Sequence, residues 1–385
     1  MKFLRTKLIE KFNESFNSSG KQYVVIVWEK GIGKSAFLSL LEESDIFVTY
    51  KTESILISDD SPLDSTELKN PDTNLIILDS TIPVSFSEIR SFIESKSPDS
   101  RVIFTSEVLI FEDTVDNFPV SGISFREYAE WAGNPIDVWA IMSKKADIWG
   151  LNELRDTYIH LGQYPCNLDN PEWFQLSFDE KLATMNQELF KKEEWDFLDF
   201  IRTLAMNVGD IYKEERIAKN MNISRRKVRK YTEIALKHNL IRAVGPWVEN
   251  TITELSRHVK VYFTDLSYFH AALGVSYYHG EGKQGVMENF ILIEIERKLS
   301  ATHDIRFYRK KSGSEVSFVL VEKKSEKITP IEVTIKSSNI IPQSLKSFHE
   351  SYGSRIEHAM IMNDNISEQK DLDWTPIIIL PHIAI

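Results

Sequence analysis

At 385 residues the chain is more than twice the roughly 150 residues of one ordinary domain, so several domains are expected. Apolar residues make up 42% and charged residues 27%, which excludes a mainly disordered protein. Against 46 basic side chains stand 57 acidic ones, a net charge of -11, so any contact with nucleic acid must come from a local basic patch.

The lone Cys166 excludes an internal disulfide and a cysteine cluster for zinc. No apolar run approaches the ~18 residues of a membrane span, and residues 1–17 alternate charged and apolar side chains instead of forming a signal-peptide core. A cytoplasmic protein with no membrane partner is the expectation.

In chain order, Phe3, Leu4, Leu8, Ile9, Phe12 and Phe16 fall on one helical face. Residues 23–28 (YVVIVW) form a continuous apolar run, typical of a parallel strand covered on both faces. Helical spacing returns at residues 36–41. Strand-like runs follow at 54–57, 75–78 and 102–104, with a helix between the last two. This alternation predicts a parallel α/β sheet. From about Ser124 to Phe200 the β-branched runs give way to aromatic, Leu, Glu and Lys residues, which predicts a helical lid or connector. Helices and then short strands are expected to about residue 265. Another α/β segment follows, with helices near 287–299 and 342–351.

Directly after the first buried strand come Glu29-Lys30-Gly31-Ile32-Gly33-Lys34-Ser35. Glycines there let backbone N–H groups turn toward phosphate oxygens; Lys34 would reach the outer phosphates and the Ser35 hydroxyl would ligate magnesium. The strict phosphate-loop pattern fails at its first position, where Trp28 replaces glycine. Asp79, closing the run Leu75-Ile76-Ile77-Leu78, is the candidate carboxylate for a magnesium-bound water. Ser80, next to it, lacks the basicity to orient an attacking water. Residues 107–125 contain no Arg or Lys to serve as an arginine finger. Nucleotide binding is therefore better supported than hydrolysis.

Residues 212–240 carry helix-turn-helix punctuation: Ile217 and Ala218 in a first helix, Met221-Asn222-Ile223 in the turn, and Ser224 capping a second helix through Val228, Tyr231 and Leu236. Leu240-Ile241 would begin a wing. Residues 211–245 contain ten basic and three acidic side chains, a balance of +7 inside an acidic protein. Arg225, Arg226, Lys227, Arg229 and Lys230 crowd the start of the second helix, the part that enters a major groove in such motifs. Duplex DNA is the expected partner, against the plainer reading of a winged helix used for packing.

The last segment offers carboxylates for a divalent metal: Glu288 on a helix, Glu315 on a strand over residues 315–319, and Glu332 on a strand over 331–336. A hydrolytic site of the PD-(D/E)XK type wants an acid where Ser317 stands and a lysine where Thr334 stands. Glu315 and Lys336 lie two residues away on the same expected strand faces, about 7 Å distant. A folded domain with a degenerate site is expected.

The order of these segments resembles the prokaryotic AAA+-type ATPases that join a P-loop domain and helical lid to a winged helix and a C-terminal PD-(D/E)XK nuclease-like domain. The matching stretches are Gly31-Ile32-Gly33-Lys34-Ser35, Leu78-Asp79, Ser124-Phe125-Arg126-Glu127-Tyr128, Gly162-Gln163-Tyr164-Pro165, Lys260-Val261-Tyr262-Phe263-Thr264-Asp265, Gly285-Val286-Met287-Glu288-Asn289 and Ile331-Glu332-Val333. The resemblance implies ATP and Mg2+ as cofactors, held by Lys34, Ser35 and Asp79. It also implies an α/β multidomain fold: P-loop domain 1–123, helical lid 124–200, winged helix 201–270 and nuclease-like domain 271–385. The departures at Trp28, Ser80, Ser317 and Thr334 weigh against both hydrolytic activities. A nucleotide-binding, DNA-associated protein is expected, against a structural or interaction protein with decayed sites or a metal-dependent nuclease. The oligomeric state stays open.

Overall fold

The computed structural model describes residues 6–27, 37–38, 41, 47, 50–58, 60–63, 66–80, 84–106, 108–120, 122–164, 173–248, 259–275, 283–299, 302–310 and 313–385. Trp28, Gly31, Ile32, Gly33, Lys34, Ser35 and Cys166 lie outside them. The chain forms two compact units, Met1–Gly122 and Ile123–Ile385.

The first unit is a five-stranded, wholly parallel sheet. Its strands are β1 (Tyr23–Val27), β2 (Thr52–Ile57), β3 (Leu75–Ser80), β4 (Arg101–Ser106) and β5 (Val115–Pro119), in the spatial order β2-β3-β4-β1-β5. Every residue of β1 is buried, as an uninterrupted apolar run requires when helices cover both faces. Tyr23, Val25 and Val27 pack with Ile89, Phe92 and Ile93 of helix α2 (Phe86–Lys96). Alternation along the strand turns Val24 and Ile26 to the opposite face. The amphipathic α1 (Thr6–Ser18) brings Phe12 edge-on to Phe118 of β5, with centroids 5.0 Å apart. Helix α2 starts cleanly because Ser85 and Glu88 form a reciprocal capping box.

The second unit opens with helices α3 (Phe125–Trp131), α4 (Val138–Met142), α5 (Ile148–Leu161), α6 (Trp173–Asn186) and α7 (Glu194–Met206). Helices α8 (Glu214–Met221) and α9 (Arg225–Lys237) follow, separated by a tight turn. Asn222 makes that turn at a left-handed φ of 53°, which Asn tolerates better than most residues, and Ser224 caps α9 by accepting from the Lys227 amide. An antiparallel pair, β6 (Ile241–Val244) with β7 (Lys260–Phe263), then leads into α10 (Leu266–Leu273) and α11 (Lys283–Lys298). Helices α7 and α10 run through residues 200 and 270, where the sequence placed domain edges.

A six-stranded mixed sheet completes the unit: β8 (His303–Arg309), β9 (Glu315–Glu322), β10 (Ile328–Val333), β11 (Ala359–Asn363), β12 (Glu368–Leu372) and β13 (Thr375–Pro381). Their spatial order is β12-β13-β11-β10-β9-β8, and α12 (Gln343–Tyr352) packs on it through Leu345 and Phe348. The chain after β6 runs beside β8: Trp247 donates its amide to the Phe307 carbonyl, and the Phe307 amide donates to the Gly245 carbonyl. Trp247 also packs among Tyr308, Phe348 and Tyr352, so the β6–β7 pair is anchored to the sheet edge. One expectation needs correction. The strand expected over 331–336 ends at Val333, so Lys336 does not share a strand face with Glu332. The Gln284 side chain ends the ladder by donating to the Val333 carbonyl and accepting from the Ile335 amide. Among the described residues no helix is long and apolar enough to cross a membrane.

Candidate functional site

Three groups of residues bear on function. In the first unit, Asp79 stands at the carboxyl end of β3. Thr105 of β4 points its hydroxyl at Asp79 Oδ1, 3.4 Å away, and Thr105 is in register with Ile26 of β1. Asp79, Thr105 and Ile26 thus form one row across three adjacent strands, spanning about 10 Å at the usual strand spacing. Strand β1 ends one residue later, at Val27, and Gly31, Ile32, Gly33, Lys34 and Ser35 lie outside the described residues. The carboxyl edge of a parallel sheet is where such folds bind ligands, and Asp79 stands on that edge. Thr105 was not singled out in the sequence; only the sheet order puts it beside Asp79.

The second group is the start of α9. Its cations are engaged by carboxylates of their own neighbourhood: Arg225 with Glu215 at 2.8 Å, Arg229 with Glu214 at 3.0 Å, Lys230 with Glu193 at 3.0 Å, and Lys227 with Asp196. Arg226 is exposed and makes no ion pair among the described residues. The charge count over residues 211–245 missed Glu193 and Asp196, which come from upstream. The Arg225–Glu215 and Arg229–Glu214 pairs are largely exposed and worth about 0–1 kcal/mol each, whereas Glu193, paired with Lys230, is mostly buried.

The third group is buried. Glu288, in α11, is only 6% exposed and accepts four hydrogen bonds. Its Oε2 receives Lys260 Nζ at 3.1 Å and the Tyr262 hydroxyl at 3.0 Å; its Oε1 receives Gln284 Nε2 at 3.2 Å and the Ser317 hydroxyl at 3.3 Å. Lys260 also pairs with Glu315 Oε1, and Arg309 takes the other Glu315 oxygen at 2.9 Å. Strand alternation in β7 puts Lys260 and Tyr262 on one side, toward α11. Helix α11 comes this close because Gly285 is its third residue: a Cβ there would stand 2.0 Å from the Val208 carbonyl oxygen. Asn289, one residue after Glu288, both accepts from the Phe263 amide and donates to the Phe263 carbonyl, standing in for a strand partner of β7.

Electrostatics follow from this packing. Burial pulls the Lys260 pKa down, but the Glu288 and Glu315 carboxylates outweigh it, so the ammonium titrates above the ordinary lysine value. Burial, reinforced by Glu288, raises the Tyr262 phenol well above its usual range and keeps it a donor. Burial pushes the Glu332 carboxyl up to about 8; Ser344 donates to its Oε1 at 3.2 Å, and its Oε2 is sealed from solvent without a hydrogen-bond partner. Ser317, expected as a lost acid, instead accepts from the Val333 amide and donates to Glu288. Lys336 is exposed beyond the end of β10, and Thr334 donates its amide to the Met362 carbonyl. Glu288, Glu315 and Glu332 are thus brought together, Lys336 is not, and Lys260 takes the cationic place. Sequence reasoning quoted Lys260 and Tyr262 within a motif but gave them no role; their i, i+2 spacing was the available signal.

Other motifs of the sequence pack on α11 and at the start of α10. The Phe125 amide donates to Glu294 Oε1 at 3.2 Å, and Tyr158 reaches the same oxygen at 3.2 Å while donating to the Ile123 carbonyl at 2.7 Å. Asp265 accepts from the Gln163 amide at 2.8 Å; Gly162, at φ 76°, leaves no space for a Cβ, which would lie 2.2 Å from Asp265 Oδ1.

Residues 283–382 match the family model of a domain of unknown function (DUF4143). That domain is found in AAA-like ATPase-associated proteins. Residues 185–278 match a second domain of unknown function (DUF8612). No curated protein matches the chain. Lys260 falls in one matched stretch and Glu288, Glu315 and Glu332 in the other, so the buried cluster is built across the edge between them.

Proposed function

We propose that the protein is an AAA+-like nucleotide-binding protein that associates with duplex DNA and whose nuclease-like domain does not cut. In this reading Gly31, Ile32, Gly33, Lys34 and Ser35 hold the phosphates of ATP, and Ser35 and Asp79 hold Mg2+. The observation that carries the reading is the row Asp79–Thr105–Ile26 at the carboxyl edge of the parallel sheet. The sheet order supports it further, since β4 separates the strand before the loop from the strand bearing the carboxylate. A bound magnesium ion would neutralise phosphate charge beside Asp79; Ser80 supplies no base to activate water, so turnover is slow. The α8–turn–α9 and β6–β7 arrangement supports a winged-helix reading, with Arg225, Arg226, Lys227, Arg229 and Lys230 facing phosphates.

The ion pairs between α9 and Glu193, Asp196, Glu214 and Glu215 favour a second reading, an interaction protein whose basic helix is neutralised internally. Mg-ATP separates the two. At 100 times its dissociation constant a ligand adds about 2.7 kcal/mol of stability. The wild type should therefore melt higher with millimolar Mg-ATP, and Lys34→Ala should abolish the shift. No shift in the wild type would leave the interaction reading.

A further inference from the structure

The hairpin that joins β12 to β13 carries a side chain that the fold does not use. Leu372 pairs with Thr375, so the turn between them is two residues long, Asp373 and Trp374, and both hold a positive φ, 46° and 70°. Two-residue turns take this form because it matches the right-handed twist of the strands, and the second place normally falls to glycine, which has no Cβ to strain. Aspartate tolerates a left-handed φ, whereas for a residue as bulky as tryptophan it is an outlier. Trp374 is 96% exposed, so packing within the chain does not offset that strain.

The surroundings of the indole select a partner. Strand β12 is the edge of its sheet, with a neighbour on one side only, and Asp371 on it and Asp373 in the turn are both exposed. Neither carboxylate accepts a hydrogen bond among the described residues; His349 Nδ1 stands 3.9 Å from Asp373 Oδ2, and the other nitrogen of that ring is bonded to the Thr375 hydroxyl at 2.8 Å. Lys370, on the other face of the strand by alternation, gives its ammonium to the Asn339 carbonyl at 2.7 Å and to Glu368 at 3.6 Å. Two free carboxylates within three residues of a bare indole repel phosphate, which weighs against nucleic acid and anionic lipid. They suit a guanidinium, which stacks on an aromatic face and forks onto a carboxylate. We propose that the tip from Asp371 to Trp374 is a docking site for an arginine-bearing, extended segment of a protein partner. The segment pairs its backbone with the open edge of β12 and sets a guanidinium on the Trp374 ring, against Asp371 and Asp373. The inference concerns the second unit alone and depends on neither ATP nor DNA.

The test uses the full chain and, as probe, a fluorescein-labelled peptide alternating Arg and Thr, read by anisotropy beside a Lys–Thr peptide and a labelled DNA duplex. The Arg peptide should bind the wild type at least about tenfold more tightly than it binds Trp374→Gly. Asp371→Asn with Asp373→Asn should weaken it as much, since Asn keeps the left-handed turn and loses the charge. The Lys peptide should bind the wild type more weakly than the Arg peptide. Trp374→Gly should at the same time melt about 2–4 °C above the wild type, because in the isolated chain the change relieves strain and removes no packing. An Arg peptide that does not bind the wild type, or binds Trp374→Gly equally well, overturns the proposal. A fall in melting temperature in Trp374→Gly also overturns it, by making the indole a structural side chain. Duplex binding that Trp374→Gly loses would assign the tip to nucleic acid instead, and a wild type that sediments as a dimer where Trp374→Gly is a monomer would assign it to a second copy; either result contradicts the proposal.

Discussion

Replacing Glu288 by Ala probes the buried cluster most severely. The change leaves the Lys260 ammonium, in a nearly water-free site, with Glu315 as its remaining carboxylate, and it strands the Tyr262 hydroxyl, Gln284 Nε2 and the Ser317 hydroxyl. Breaking a buried ion pair from one side costs about 3–5 kcal/mol, because the surviving charge stays buried. At roughly 2–4 °C per kcal/mol for a unit of this size, the melting temperature of the second unit should fall by about 6–20 °C. Lys260→Met should cost a similar amount by leaving Glu288 and Glu315 face to face. The double variant Lys260→Met with Glu288→Ala removes both charges and should cost less than the sum, with a coupling of about 1–3 kcal/mol. Urea unfolding of the four proteins, followed by circular dichroism, measures the cycle. Additivity within about 0.5 kcal/mol, or a Glu288→Ala cost under about 1 kcal/mol, would refute the view that the cluster is internally satisfied.

The remaining predictions concern charge elsewhere. His270 lies buried in α10, its ring bonded to the Leu266 carbonyl, and burial lowers its pKa to about 4 from 6.5. The unfolded chain therefore binds the extra proton between those values, so stability should fall as pH drops from 6.5 toward 4, by at most about 3 kcal/mol. His270→Phe should flatten that part of the pH profile of urea unfolding; an unchanged slope would assign the loss elsewhere. Replacing Arg225, Arg226 and Arg229 by Ala should weaken duplex DNA binding to all sequences alike and lower the slope of log affinity against log salt by about 2–3. Glu214→Gln with Glu215→Gln frees Arg229 and Arg225 and should tighten binding, as read by fluorescence anisotropy at two salt concentrations. Equal affinity for every variant would make α9 a packing helix.

Much of the architecture was legible because it rests on local pattern. Residues 23–27 read as a buried parallel strand because no polar residue interrupts them, and Asn222 and Ser224 announce the turn and cap between α8 and α9 by chemistry that needs no tertiary context. The early end of β10 was not legible, since it depends on the side chain of Gln284 from another element. Lys260 was the largest omission. A lysine at the start of a short strand reads as a solvated edge residue, and only tertiary packing brings the carboxylates that make its burial tolerable, Glu288 on the helix whose Gly285 sits against Val208 and Glu315 on β9. Net charge misleads at α9 for a related reason, because the neutralising Glu193 and Asp196 lie outside the basic stretch.

The most direct test of the proposed function is an isothermal calorimetric titration of the full chain with Mg-ATP, which records binding and turnover as distinguishable heats. The wild type should give a saturable isotherm of micromolar or weaker affinity, absent in Lys34→Ala, with no sustained heat of hydrolysis afterwards. A wild-type protein with no saturable heat would contradict the nucleotide-binding reading, and a sustained hydrolytic heat abolished by Lys34→Ala would contradict the inference from Ser80.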